Sequence, residues 1–255
     1  MGINVNDTGI VILAAGKGTR MKSDKAKVLH EICGRPMISY VVDTSVKIAE
    51  ENIVVVIGHQ AEKVKEVVAK EFSVNFAIQA EQLGTGHAVM CALPYLPDHV
   101  KHVIILCGDV PLISPVTINM LIERLKNDRC NISMLAVEIE NPTGYGRVIV
   151  NGNGNVTSIV EEADSNAEEK KIRIINAGIY CVEKKYLEQS LNRIKADNAQ
   201  GEYYLTDIIE LGNKDGKRIG LIIGDDPDEV IGINDKKNLS LVEEIMKDRS
   251  SKILT

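Results

Sequence analysis

Over the first half of this chain, short apolar runs alternate with helical patterns, and this alternation restricts the fold more than any other feature. The runs are residues 10–14, 53–57, 74–78 and 103–107. Three of them are continuous and rich in β-branched residues, as strands buried on both faces require. Between them, Pro36 stands at the favoured first position of a helical pattern through Ile38, Val41, Val42, Ser45 and Ile48. Residues 61–72 place Val64, Val67 and Val68 on one face, residues 86–93 end before Pro94, and residues 115–126 follow the fourth run. Strands that alternate with helices predict an α/β fold with a doubly wound, mostly parallel, Rossmann-like sheet. In such folds ligands bind beyond the carboxyl ends of the strands. The loop after residue 14, Gln79 and Asp109 all fall at such ends.

From residue 132 the pattern changes. Residues 132–139, 147–150, 156–161 and 172–182 read as strands, and NPTGYG and NGNGN are strong turn signals between them. A β-rich half is expected to complete the sheet and cover the pocket. Helical patterns return at 184–194, 206–212 and 236–247, the last with Leu239, Val242 and Met246 on one stripe. Residues 1–8 are expected to be a disordered tail and 9–234 one domain with halves at 9–130 and 131–234. Residues 235–255 are expected to be a C-terminal helix and tail, and the charged stretch 164–171 a mobile loop.

A formal charge of −6 with only 4% aromatic residues and no tryptophan argues against a base-stacking nucleic-acid groove. No apolar run approaches the ~20 residues that span a bilayer, and the first eight residues lack a secretory apolar segment. No nucleic-acid and no membrane partner is expected. Five scattered cysteines without a C-x-x-C read as reduced thiols in a cytoplasmic protein. His99 and His102 lack the flanking ligands of a zinc site and are expected on the surface.

Against the acidic background, residues 17–27 hold five cations (Lys17, Arg20, Lys22, Lys25, Lys27) and one acid, Asp24. Gly16 and Gly18 precede or interrupt them directly after a buried run, which points to a phosphate-binding loop. A dinucleotide fingerprint is excluded, because Met21 stands where its third glycine belongs. A Walker loop is excluded because no G-x-x-x-x-G-K-[ST] occurs. Asp109, placed straight after a buried run, is suited to capping a helix, turning the chain or holding a hard cation. Read alone, QLGTG is a turn with solvated glutamines, Asn234 a cap or turn residue, Glu161 an exposed strand residue and Asn176 a bulge.

LAAGKGTRM followed by Lys27 resembles the sugar-nucleotidyltransferase superfamily. QAEQLGTGHA, CGDVPLI, PTGYGR, INAGIY and NAQGEYYLTDII follow in one order. Together they are similar to the uridylyltransferase domains of bifunctional bacterial enzymes that make UDP-N-acetylglucosamine for the cell wall. The resemblance spans residues 8–249. It implies Mg²⁺-dependent uridylyl transfer from UTP to N-acetylglucosamine 1-phosphate, with Arg20, Lys27 and Asp109 as catalytic groups and Mg²⁺ on Asp109 and Asn234. It implies substrate contacts from Leu13, Ala14, Ala15, Gly16, Lys27, Gln79, Gly84, Thr85, Cys107, Gly108 and Asp109. Gly146, Glu161, Asn176 and Asn234 complete that set, with Glu202, Tyr204 and Thr206 nearby. In this reading residues 9–130 hold the nucleotide and 131–234 the sugar. The Gln79 amide then faces the N3–H and O4 edge of uracil.

Three departures stand out: Ala26 where the family commonly has proline, Cys107 where many members have tyrosine, and Ala177 where threonine is frequent. Another sugar phosphate or nucleotide is the alternative substrate pair. A catalytically silent binding module is the alternative of another class, and such a module is expected to lose Arg20, Lys27 or Asp109. No hexapeptide repeat of an acetyltransferase β-helix occurs in these 255 residues. A monomer or weak dimer is therefore expected, with no acetyl transfer from acetyl-CoA and the last helix folded back on the domain or projecting as a stub.

Overall fold

The computed structural model describes residues 6–253. In chain order the elements are β1 (Thr8–Ala14), β2 (Glu31–Ile32), β3 (Arg35–Pro36), α1 (Met37–Ala49), β4 (Ile53–Ile57), α2 (Ala61–Ala69), β5 (Asn75–Ile78), α3 (Thr85–Ala92), β6 (His102–Cys107) and α4 (Pro115–Asn127). There follow β7 (Ile132–Glu138), β8 (Arg147–Val150), β9 (Val156–Val160), β10 (Ile174–Glu183), α5 (Lys184–Leu191), α6 (Asp207–Lys214), β11 (Ile219–Gly224) and α7 (Lys236–Ile253).

The main sheet runs in the order β11-β7-β10-β6-β1-β4-β5, with the β8–β9 hairpin attached to β10 through Arg147 and Ile175. β1 pairs parallel to both β4 and β6, β4 to β5, and β11 to β7. Along this path only β10 runs antiparallel, against β6 and β7. Its first residues therefore lie at the same end of the sheet as the last residues of β6. The doubly wound, mostly parallel α/β sheet is borne out.

Successive side chains of a strand point to opposite faces, and β1 divides them between two cores. Ile10, Ile12 and Ala14 pack with buried residues of α1, α2, α4 and α7 on one face. Val11 packs with residues of α3, α5 and α6 on the other. α7 folds back rather than projecting: Val242 is fully buried, with Leu239 and Met246 packed beside it.

Four details differ from the sequence reading. Pro36 caps α1 instead of occupying its first turn, because it is held in the β2–β3 hairpin opposite Glu31. β11 has no counterpart among the expected strands. Of the expected tail, residues 1–5 lie outside the described residues, whereas Thr8 belongs to β1 and the Asp7 carboxylate accepts from Lys126 Nζ at 2.9 Å. Within 164–171 the Asn166 side chain accepts from the backbone N–H of Glu168 and Glu169 at 2.9 and 3.0 Å, shaping a 3₁₀ turn over Glu169–Lys171.

Candidate active site

The chain leaves β1 at the carboxyl edge of the sheet and forms the glycine loop. Gly18 takes a left-handed conformation (φ 62°), and a Cβ there would sit 2.5 Å from Cβ of Lys27, so glycine lets the lysine stem pass. Met21 is buried and pins the far side of the loop. Gln60, at the start of α2, donates to the Asp24 carbonyl and accepts from the Ala26 N–H at 3.3 Å. A proline at position 26 has no N–H to give, so the latch from Gln60 restrains the loop where the family's proline is missing.

Four residues from distant stretches converge beside this loop. Lys27 Nζ donates to the Asp109 carboxylate and, at 3.1 Å, to Asn234 Oδ1. Arg20 donates to the same Asn234 oxygen at 2.9 Å. The Asp109 carbonyl accepts from the Ile233 N–H at 2.9 Å, which ties the loop after β6 to the segment that carries Asn234. Lys27 and Asp109 are only 17% and 16% exposed, so their attraction is less screened than that of a surface pair. Among the described residues no group of three or more His, Cys, Asp or Glu side chains could hold a metal ion. The oxygen donors for a hard cation here are Asp109 and Asn234. One ammonium reaches both, so one small cation fits between them and keeps positions for water and phosphate.

A cavity of about 560 Å³ opens from this cluster. Its lining joins residues 13–19 and Lys27 to Gln79, Gln82, Gly84 and Thr85, with Cys107, Asp109 and Glu202. Of the sequence-predicted set it brings together Leu13, Ala14, Ala15, Gly16, Lys27, Gln79, Gly84, Thr85, Cys107 and Asp109. Gly108 lies just behind, its N–H donating to the Leu13 carbonyl at 2.9 Å. Gln79 is 3% exposed, and its amide NH₂ donates to the Gly84 carbonyl at 3.0 Å. Gly84 (φ 112°) lies against the Tyr203 backbone, where a Cβ would stand 2.6 Å from the carbonyl oxygen. The Thr85 hydroxyl accepts from the Leu205 N–H at 3.0 Å, so this loop is clamped by the segment before α6.

Gly146, Glu161 and Asn176 form a second group outside that lining. The Asn176 N–H donates to the Gly146 carbonyl at 2.8 Å, and Glu161 accepts from the Thr206 hydroxyl at 3.1 Å. Burial, reinforced by the charges of Asp164, Asp207 and Glu202, raises the Glu161 carboxyl above its ordinary range. Asn176 Oδ1 accepts from the Tyr180 hydroxyl at 2.9 Å, across a bulge that places Gly178 against Cys107. Burial beside Asp109 pushes the Cys107 thiol up to about 12, so it remains a neutral thiol. Tyr204 is buried, and burial together with the Asp164 carboxylate raises its hydroxyl above the ordinary range.

Several residues here were not singled out from sequence. Gln82 lines the cavity three positions after Gln79, and Tyr145 is raised in pKa by burial and by the Asp109 charge. Tyr145 lies inside PTGYGR, where the motif itself was the available signal. Arg147 is buried and holds Glu162, which also accepts from the Gly144 N–H at 3.2 Å and so fixes that turn. His99 is exposed, whereas His102 is half-buried: its imidazole is 17% exposed and lies 3.5 Å from Asp7. It lines another depression, of about 620 Å³, at the amino end of β6, far from this cluster. The cysteines are free thiols, and no helix among the described residues is long and apolar enough to cross a membrane.

Residues 10–242 match the family model described as nucleotidyl transferase. The chain is 46% identical over 254 residues to the bifunctional protein GlmU of Geotalea uraniireducens, covering 98% of this chain and 55% of that protein. It is 41% identical to the protein of the same name from Desulfotalea psychrophila, with 97% and 73% covered. For the Clostridioides difficile protein the values are 44%, 94% and 51%. The chain thus spans about half the length of the first and third relatives. In fold it is similar to a putative glucose-1-phosphate thymidylyltransferase from Bacillus anthracis (TM-score 0.74, 17% identity, 94% and 96% covered). It is likewise similar to HddC from Yersinia pseudotuberculosis (TM-score 0.66, 22% identity, 93% and 99% covered).

Proposed function

The chain belongs to the nucleotidyl transferase family as a sugar-phosphate nucleotidyltransferase, and we propose that it transfers the uridylyl group of UTP to N-acetylglucosamine 1-phosphate. The observation that carries this reading is the meeting of Arg20, Lys27, Asp109 and Asn234 at one end of a cavity whose lining includes Gln79. Polyanion chemistry is matched to one part of the cavity and base recognition to another.

A phosphate oxygen of the sugar 1-phosphate attacks the α-phosphorus in line. The new O–P bond gives UDP-N-acetylglucosamine as the bond to the β-phosphate oxygen breaks and releases pyrophosphate. The nucleophile is already ionised, so the protein needs no general base and works by positioning and charge neutralisation. The glycine loop offers backbone N–H groups to the triphosphate, and Arg20 holds the departing phosphates. Lys27 neutralises charge as it grows on the reacting phosphates. Asp109 and Asn234 would hold Mg²⁺, which supplies a further positive charge on the phosphate oxygens when bound. Glu161 and Asn176 accept from and donate to sugar hydroxyls and the acetamido group. Residues 9–130 then serve the nucleotide and 131–234 the sugar, in a cytoplasmic enzyme that works as a monomer or weak dimer.

The test is pyrophosphate release from UTP, CTP, dTTP and GTP against several sugar 1-phosphates, with and without Mg²⁺. UTP with N-acetylglucosamine 1-phosphate is expected to give the highest kcat/KM, and chelation to abolish it. Preference for another pair would replace the assigned substrates, and no turnover with any pair would leave a binding module.

A further inference from the structure

We propose that His87, which is not part of the cavity lining, sets the direction of the Gln79 amide and so confines the site to bases with a ring N–H donor. This rests on the base-subsite reading above and names the device behind it.

The hydrogen bonds follow from one fixed point. The Gly84 carbonyl can only accept, and it lies 3.0 Å from one end of the Gln79 amide, so that end is the NH₂ group. His87 Nδ1 lies 3.1 Å from the same nitrogen. An imidazole nitrogen facing a donor must present its lone pair, which places the ring proton on Nε2. Nε2 faces Cys91 Sγ at 3.8 Å, a weak acceptor compatible with that proton.

Both hydrogens of the Gln79 NH₂ are then committed inside the protein, one to Gly84 and one to His87. Gln79 is 3% exposed, so bulk water does not compete for them. Its Oε1 is not among the buried atoms left without a partner, and Gln79 lines the cavity. The amide therefore offers a bound base an acceptor and nothing else. Uracil and thymine present N3–H to such an acceptor. Cytosine presents an N3 lone pair, and two acceptors in a dry site repel. Recognition is thus an acceptor-only contact, narrower than the paired donor and acceptor expected from sequence. His87 acts through Gln79 as a positioning residue.

The experiment compares kcat/KM for UTP and CTP in the wild type, His87→Leu, His87→Asn, Gln79→Ala and the His87→Leu/Gln79→Ala double variant. Losing one committed hydrogen bond in His87→Leu should lower the UTP-to-CTP ratio ~10-fold, with the change in KM rather than kcat. Asn carries an acceptor where Nδ1 stood, and His87→Asn should recover most of the ratio. In the Gln79→Ala background, His87→Leu should change the ratio by less than about twofold, the coupling expected of residues that act as one unit. An equal further loss there, or an unchanged ratio in His87→Leu, would overturn the role of His87. An unchanged ratio in Gln79→Ala would instead overturn the base subsite itself. Because His87→Leu is a helix substitution that can fail to fold, the wild-type tautomer is read independently by long-range ¹⁵N–¹H NMR. A proton on Nε2 supports the proposal, and a proton on Nδ1 refutes it.

Discussion

The replacement of Gly18 by alanine tests the loop geometry at its tightest point. The backbone there is left-handed, which costs an L-residue ~1–2 kcal/mol relative to glycine. The added methyl carbon would sit 2.5 Å from Lys27 Cβ, whereas unstrained carbons rest ~3.5–4.0 Å apart. A displacement of ~1 Å follows from these two distances. Lys27 Cβ is the root of the side chain, and the turn it starts is anchored by buried Val28 and Leu29. It cannot swing aside as a flexible tip would. Forced overpacking adds ~1–3 kcal/mol, for a total of ~2–5 kcal/mol and a fall in Tm of ~5–15 °C. A 1 Å misplacement of a catalytic group costs ~10²-fold in rate. Gly16→Ala is the comparison, because no atom lies within 4 Å of its added methyl and its φ is not positive. It should leave Tm unchanged. Steady-state pyrophosphate release and thermal denaturation on both variants decide the matter. If Gly18→Ala kept kcat/KM within about threefold of wild type, the claim that Gly18 positions Lys27 would be wrong.

Lys27→Ala should stay folded and lose ~10²–10³ in turnover, since a charge is removed where the transition state develops its own; unchanged pyrophosphate release would sink that role. Asp207 is raised from 3.8 to about 6 by burial and by the charges of Glu210 and Asp164. Its stabilising contribution is full below the unfolded pKa and is lost as pH rises through about 6. Asp207→Asn should therefore be more stable than wild type in urea at neutral to alkaline pH, with the advantage gone below about pH 4; an equal difference at both ends would refute the shift. Val242→Ala should cost ~2 kcal/mol in denaturant unfolding, because the side chain is fully buried; a neutral result would detach α7 from the core.

The strands at the centre of the sheet were legible because burial on both faces leaves a continuous apolar run, as in β1, β4 and β6. β11 was not, for the complementary reason. It is an edge strand bracketed by glycine, with Ile223 48% exposed, so it shows neither a continuous run nor a clean alternation. At the site, sequence motifs supplied Arg20, Lys27, Asp109 and Asn234 one at a time. Nothing local told that Lys27 reaches Asp109 across 82 positions, or that Asn234 accepts from both cations. His87 stayed hidden because its partner is a glutamine and its effect reaches the cavity only through that amide. Thr85 shows the opposite lesson: a residue picked out for ligand contact also carries a structural bond, to Leu205.

The separation of these partners along the chain has a consequence for how the protein is made. Asn234 stands 207 positions after Lys27, and the backbone bond from Ile233 to Asp109 forms only once that segment exists. On the ribosome, β1, β4, β5 and β6 emerge early and can pair with one another, and of the four only β6 waits for a later neighbour, β10. β7 gains β10 and β11 as its two neighbours only from residues made afterwards. A nascent chain thus carries its glycine loop, Lys27 and Asp109 without the oxygen that bridges Lys27 to Arg20 until Asn234 has been made. The segment that closes the constellation follows β11 directly in the chain, so the four side chains meet only after the strand that completes the sheet's edge has been made.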